Sequence, residues 1–167
     1  LDDTVHYYEA CHNDYLFAWC NRDNLALHYG YWDSKEPYQH HQALINTNKM
    51  LYQFANIQSP SRILDAGCGA GRFADELAQS GARVIACDLS GAVDACKKTV
   101  DNPEGYSPNR GDVTVIQANL LALPFKKNVF DAIHCAGVIQ HTPDPAKIMR
   151  SLPTYLNTAG RLFYNFL

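Results

Sequence analysis

In the stretch ILDAGCGAGRF, Ile63 to Phe73, an apolar run takes in an acid, Asp65, and leads into glycines at alternate positions, Gly67, Gly69 and Gly71. Glycines at a strand-to-helix turn let a ligand come close to the backbone. A dinucleotide fingerprint needs its third glycine three residues after the second. Arg72 stands there, so the spacing is one residue short. No Lys-Ser or Lys-Thr pair follows, which removes the phosphate-loop reading as well. Asp65 would repel a pyrophosphate and attract a cation. In the next apolar run, VIACDLS, Asp88 is placed to accept both hydroxyls of a ribose. These parts suit a nucleoside joined to a cationic amino-acid portion, which is the make-up of S-adenosylmethionine. Plainer roles stay open: a tight turn for Gly67 and Gly69, a cap on the helix after Ser90 for Asp88, and a loop filler for Cys68.

The elements that would hold these residues are read from pattern. From Arg62 onward, short buried runs (RILDA, RVIACD, VTVIQAN, VFDAIHCAG, RLFYNFL) alternate with helical stretches. Those stretches are GRFADELAQSG closed by Gly81, SGAVDACKKTV, and a segment from about Pro145 to Leu156 disturbed at Pro153. Such alternation predicts a doubly wound α/β fold: a parallel sheet with right-handed crossovers, covered on both faces. Residues 1–60 differ. Val5, Tyr8, His12, Tyr15, Leu16 and Trp19 recur at helical spacing, HYGYWD breaks the pattern, and a second helix is predicted from Pro37. The expected division is a helical, substrate-side lid over residues 1–60 and a nucleoside-binding core over residues 61–167.

Composition narrows the classes. The 167 residues are 47% hydrophobic and carry a formal net charge of −3, enough for one core and a poor match to nucleic-acid binding. No apolar run approaches a membrane span, and no signal-peptide pattern opens the chain. Six cysteines show neither paired nor zinc-ligand spacing with the seven histidines, so a reducing cytoplasm and no metal site are expected.

Taken in order and spacing, ILDAGCGAG, VIACDLS, VIQANLLALPF and FDAIHCAGVIQHTPDP resemble the class I S-adenosylmethionine-dependent methyltransferases over Arg62 to Leu167. The resemblance implies a Rossmann-like sheet of order 3-2-1-4-5. It implies that Asp65, Gly67 and Gly69 line the methionine end, and that Asp88 takes the ribose with Leu89 beside the adenine. Asn119 and Leu120 would flank the adenine, and Ala136 would form a wall after the fourth strand. Many relatives carry Asp where Asn119 stands; an asparagine can still accept from the exocyclic amine, or serve merely as a strand-ending turn.

The acceptor is legible only through the pocket walls. The aromatic density of the first sixty residues (Tyr7, Tyr8, Tyr15, Trp19, Tyr29, Tyr31, Trp32) suits a small apolar or lipid-like molecule and cation–π contact with a sulfonium. It loosely resembles the lids of tocopherol, sterol and natural-product methyltransferases. The same rings also fit a packed helix face. His141 is the foremost general-base candidate, with a backbone-satisfying loop role as its alternative, and His28 ranks behind it. The Asn/Asp-Pro-Pro-aromatic loop of base-modifying relatives is replaced by AGVIQH, which argues against a nucleic-acid substrate. The start at Leu1 and the apolar fifth run suggest a chain that continues, or a second copy covering that edge. A nucleotide-dependent oxidoreductase and a catalytically silent cofactor-binding fragment are the competing readings.

Overall fold

The computed structural model describes residues 6–7, 10–11, 30–33, 35, 37–55, 57, 59–101 and 108–165. Tyr8, Tyr15, Trp19, His28 and Tyr29, named above for the lid, lie outside them. In chain order the elements are α1 (His40–Ala55), β1 (Arg62–Ala66), α2 (Arg72–Gln79), β2 (Arg83–Asp88), α3 (Ala92–Val100), β3 (Val113–Gln117), β4 (Phe130–Ala136), α4 (Pro145–Ser151) and β5 (Leu156–Asn165).

The strands form one sheet of order β3-β2-β1-β4-β5, and every pairing is parallel. The inner strands β1 and β4 are covered on both faces and buried along most of their length, whereas the edge strand β3 mixes half-buried and exposed positions. Two apolar clusters result. Leu64, Cys87, Ile133 and Cys135 pack against Ile139, Ile148 and Leu152 on the α4 side. Ile63, Val84 and Ala132 pack against Ala74, Leu77, Ala78 and Cys96 on the α2 and α3 side. The buried positions of α2 recur at helical spacing, and the helix gives way to Gly81 at φ 88°. Against the other side of α2, and against β5, lies α1.

Three boundaries differ from the sequence expectation. The helix predicted to reach Leu156 stops at Ser151, and a tight 3-10 turn follows over Leu152–Tyr155. Pro153 has no N–H to continue the α-helical ladder and its ring crowds the preceding turn. The fifth strand therefore starts at Leu156, five residues before the apolar run RLFYNFL suggests. Leu156 pairs with Phe130, but Ala132 pairs with Arg161. Asn157, whose amide donates to Asp131, sits in the irregularity between them. At the other end, α1 begins at His40 rather than Pro37. The Tyr38 ring is engaged outside the helix, edge-on to Trp32 at 5.7 Å, and its hydroxyl lies 2.9 Å from His40 Nδ1.

Candidate active site

Because the strands run parallel, residues that follow their carboxyl ends collect along one edge of the sheet. Asp65, Gly67 and Gly69 come from the end of β1, Asp88 and Leu89 from β2, Asn119 and Leu120 from β3, and Ala136 and His141 from β4. In open α/β sheets a ligand crevice lies at that edge.

The glycine loop is stitched to the end of β2. Gly67 N and Cys68 N both donate to Cys87 O, at 2.7 and 3.0 Å. Gly69 N donates to Asp88 Oδ2 at 3.0 Å. The other Asp88 oxygen accepts from Ser90 N and from Ser90 Oγ, at 2.9 and 2.8 Å. Asp88 thus ties the loop to the start of α3; Oδ1 already accepts twice, and Oδ2 keeps a lone pair for another donor. Gly67 and Gly69 have positive φ, 88° and 50°, but their surroundings are opposite. A Cβ on Gly67 would collide with the Val138 side chain, whereas a Cβ on Gly69 would meet none of the described residues within 4 Å. The middle of the loop therefore opens onto free space that only a glycine leaves unobstructed.

Beneath the loop, Asp65 is 1% exposed. Its Oδ1 lies 2.9 Å from His134 Nδ1. Its Oδ2 is buried with no hydrogen-bond partner among the described residues. His134 was not singled out by the sequence reading. The available signal was a lone polar residue inside the apolar run AIHCA, on the strand that neighbours Asp65.

At β3, Asn119 Oδ1 accepts from Leu121 N at 2.9 Å and caps the short turn Leu120–Ala122. Leu120 is 7% exposed and its side chain enters the core, so a ligand at the edge meets mainly its backbone. The Leu89 carbonyl is held by Gln117 Nε2 at 2.9 Å. After β4, the turn Ile139–His141 presents His141 exposed at the edge. The preceding Gln140 has both amide atoms buried without a partner among the described residues.

The thiols here are poor nucleophiles. Burial pushes Cys87 up to about 12, with the Asp65 carboxylate adding to the shift. Cys135 is raised by the same two causes. Cys68 is raised first by its hydrogen bond with Cys96, then by burial and by Asp65. Among the described residues no group of His, Cys, Asp or Glu is arranged to hold a metal ion, and no helix is long and apolar enough to cross a membrane.

Residues 64–164 match the family of methyltransferase domains. Over 143 residues the chain is 31% identical to a ubiquinone biosynthesis O-methyltransferase of Xanthomonas axonopodis pv. citri (strain 306), covering 85% of this chain and 58% of that protein. It is 33% identical over 135 residues to the corresponding enzyme of Xylella fastidiosa (strain 9a5c), covering 80% and 53%. The chain thus spans little more than half the length of these relatives. Among solved structures, the [4+2]-cyclase SpnF superposes with a TM-score of 0.79 at 21% identity, over 96% of this chain and 58% of that one. Coclaurine N-methyltransferase, bound to N-methylheliamine and SAH, superposes with a TM-score of 0.75 at 20% identity, over 91% and 43%.

Proposed function

The chain belongs to the family of methyltransferase domains, and we propose that it binds S-adenosylmethionine at the carboxyl edge of β1 to β4 and methylates a hydroxyl of a small or lipid-like molecule. The observation that carries this reading is the pair of acids flanking a loop whose middle glycine faces open space. The residues fit such a cofactor: at Asp65 a buried carboxylate oxygen with no donor among the described residues, an acid at the end of β2, and a backbone free of side chain at Gly69.

In this reading Asp65, Gly67 and Gly69 hold the amino-acid end. Asp88 accepts from the ribose. Leu89, Asn119 and Leu120 border the adenine, and Ala136 closes the wall. With Oδ1 committed to Leu121 N, Asn119 can add an N–H donor toward a ring nitrogen, or its second carbonyl lone pair toward an amine. When bound, the cofactor supplies an already activated methyl group, so alignment and exclusion of water are the main tasks left to the protein. An oxygen acceptor also has to lose its proton, and His141 is the group we assign to take it. Oxygen is chosen over nitrogen or carbon because the two relatives described above, 31% and 33% identical, are named as O-methyltransferases.

Residues 1–60 serve as the acceptor lid in this scheme. Gly30 lies against Ala43 of α1. Next to it, Tyr31 N is bonded to Ala43 O and to Thr47 Oγ1, at 2.9 and 2.6 Å. That anchorage leaves the Tyr31 and Trp32 side chains largely exposed, as an acceptor-facing surface requires. The five described cysteines are free thiols, which supports a reducing, cytoplasmic setting.

The test is transfer of a labelled methyl group to a panel of phenols, catechols and amines. The reading expects turnover on hydroxylated aromatic acceptors. His141→Ala should lower kcat by about a hundredfold or more with donor affinity unchanged. Methylation of amines alone would refute the oxygen assignment, and donor binding without turnover on any acceptor would favour the silent fragment.

A further inference from the structure

We infer that His134 is a positioning residue for the donor site: it fixes the Asp65 carboxylate as a full negative charge whose second oxygen awaits the cationic amino-acid end of the cofactor. The inference rests on the cofactor reading above and adds a residue to it.

Asp65 and His134 are direct partners in the register between β1 and β4, so their side chains emerge side by side on the same face. Both are buried, at 1% and 7% exposure. A buried carboxylate without a donor is strongly unfavourable, and His134 Nδ1, 2.9 Å from Oδ1, is its hydrogen-bond partner. The imidazole is itself held. The Phe73 ring lies across it with centroids 4.1 Å apart, and its strand neighbour in β5 is Phe163.

The protonation pattern follows from what each atom can do. An ionised carboxylate only accepts, so the shared proton belongs to Nδ1. His134 Nε2 is buried and has no partner among the described residues. A proton there would be a buried N–H with no acceptor, a rarer situation in proteins than an under-satisfied acceptor. With the proton on Nδ1 alone, the ring adds no charge of its own and leaves that of the Asp65 carboxylate in place. Its charge acts in a low-dielectric wall under the glycine loop, where attraction to a cation is several-fold stronger than in solvent. Oδ2 is left to accept from that cation or from a bridging water. Other groups with a charge or proton near the pair are Asp88, Cys68, Cys87 and Cys135, the last three with their thiols held protonated.

The experiment measures affinity by calorimetry for two ligands, S-adenosylhomocysteine and 5′-methylthioadenosine, the second lacking the amino-acid portion. His134→Phe keeps a ring against Phe73 and removes the donor. His134→Asn places an amide N–H where Nδ1 was. The expected result is that His134→Phe weakens S-adenosylhomocysteine by about tenfold or more while changing methylthioadenosine by less than about twofold, and that His134→Asn recovers most of the loss. Equal weakening of both ligands, or no rescue by Asn, would overturn the assignment and leave His134 as packing. If wild type binds neither ligand, the cofactor reading itself fails. If wild type binds and His134→Phe binds as tightly, only the role of His134 fails. Nitrogen NMR of the wild type gives a check that needs no variant. Nδ1 should carry the proton with Nε2 bare, and the reverse tautomer contradicts the inference.

Discussion

Gly67 and Gly69 sit two positions apart in one loop, both at positive φ, yet substitution should read differently at each. Alanine at 69 meets open space, so its cost to folding is the left-handed backbone alone, about 1–2 kcal/mol. Its methyl group enters the room assigned to the donor, and S-adenosylhomocysteine affinity should fall by about tenfold or more. Alanine at 67 adds a clash with Val138 to the same strain and should cost about 2–4 kcal/mol of stability. Denaturant unfolding and calorimetry on the two variants separate the roles. The cysteines give a second prediction. Cys87 titrates near 9.0 when unfolded and at about 12 when folded, so the native state is favoured below pH 9. That contribution should decline as pH rises through the interval to 12. Alkylation at pH 8 followed by mass spectrometry should leave Cys87 and Cys135 unmodified until denaturant is added.

Among the elements, α2 is tied to the segment entering β3 by the backbone bond from Gly111 N to Ala78 O, at 2.8 Å, and by the Arg110 side chain. Arg110 donates to Asp75 at 2.9 Å and to Val100 O at 3.2 Å, at 13% side-chain exposure. Arg110→Met should cost about 2 kcal/mol, seen as a lower denaturation midpoint at unchanged m-value. Element types were largely legible in the sequence because period and punctuation agree there. Apolar runs of four to six residues stand between glycines, and Ala74, Leu77 and Ala78 mark one helix face. The misplaced boundaries have physical causes. Leu156 to Gly160 contains polar and small residues that pair only because β5 bulges past Asp131, and no local pattern signals a bulge set by a neighbouring strand. Likewise Asp65 could be singled out beside its glycines, whereas its partner His134 is sixty-nine residues away and becomes visible only through strand register.

At the scale of the whole molecule, fold and reaction separate. The chain superposes well on a protein named as a [4+2]-cyclase and on an N-methyltransferase, so this fold does not by itself fix the reaction. A ligand that binds only the folded state stabilises it by mass action, about 2.7 kcal/mol at a hundred times its Kd. S-adenosylhomocysteine at that excess should raise Tm by about 5–10 °C for a chain of this size, with NADH and ATP leaving it unchanged.

The most direct measurement of the account is a calorimetric titration of S-adenosylhomocysteine into the chain and into Asp88→Ala, with NADH titrated in parallel. One saturable site is predicted for the wild type, weakened by about 1–3 kcal/mol in the variant through the lost ribose hydrogen bonds, and no heat from NADH. Tight NADH binding, or an affinity for S-adenosylhomocysteine that is indifferent to residue 88, would contradict it.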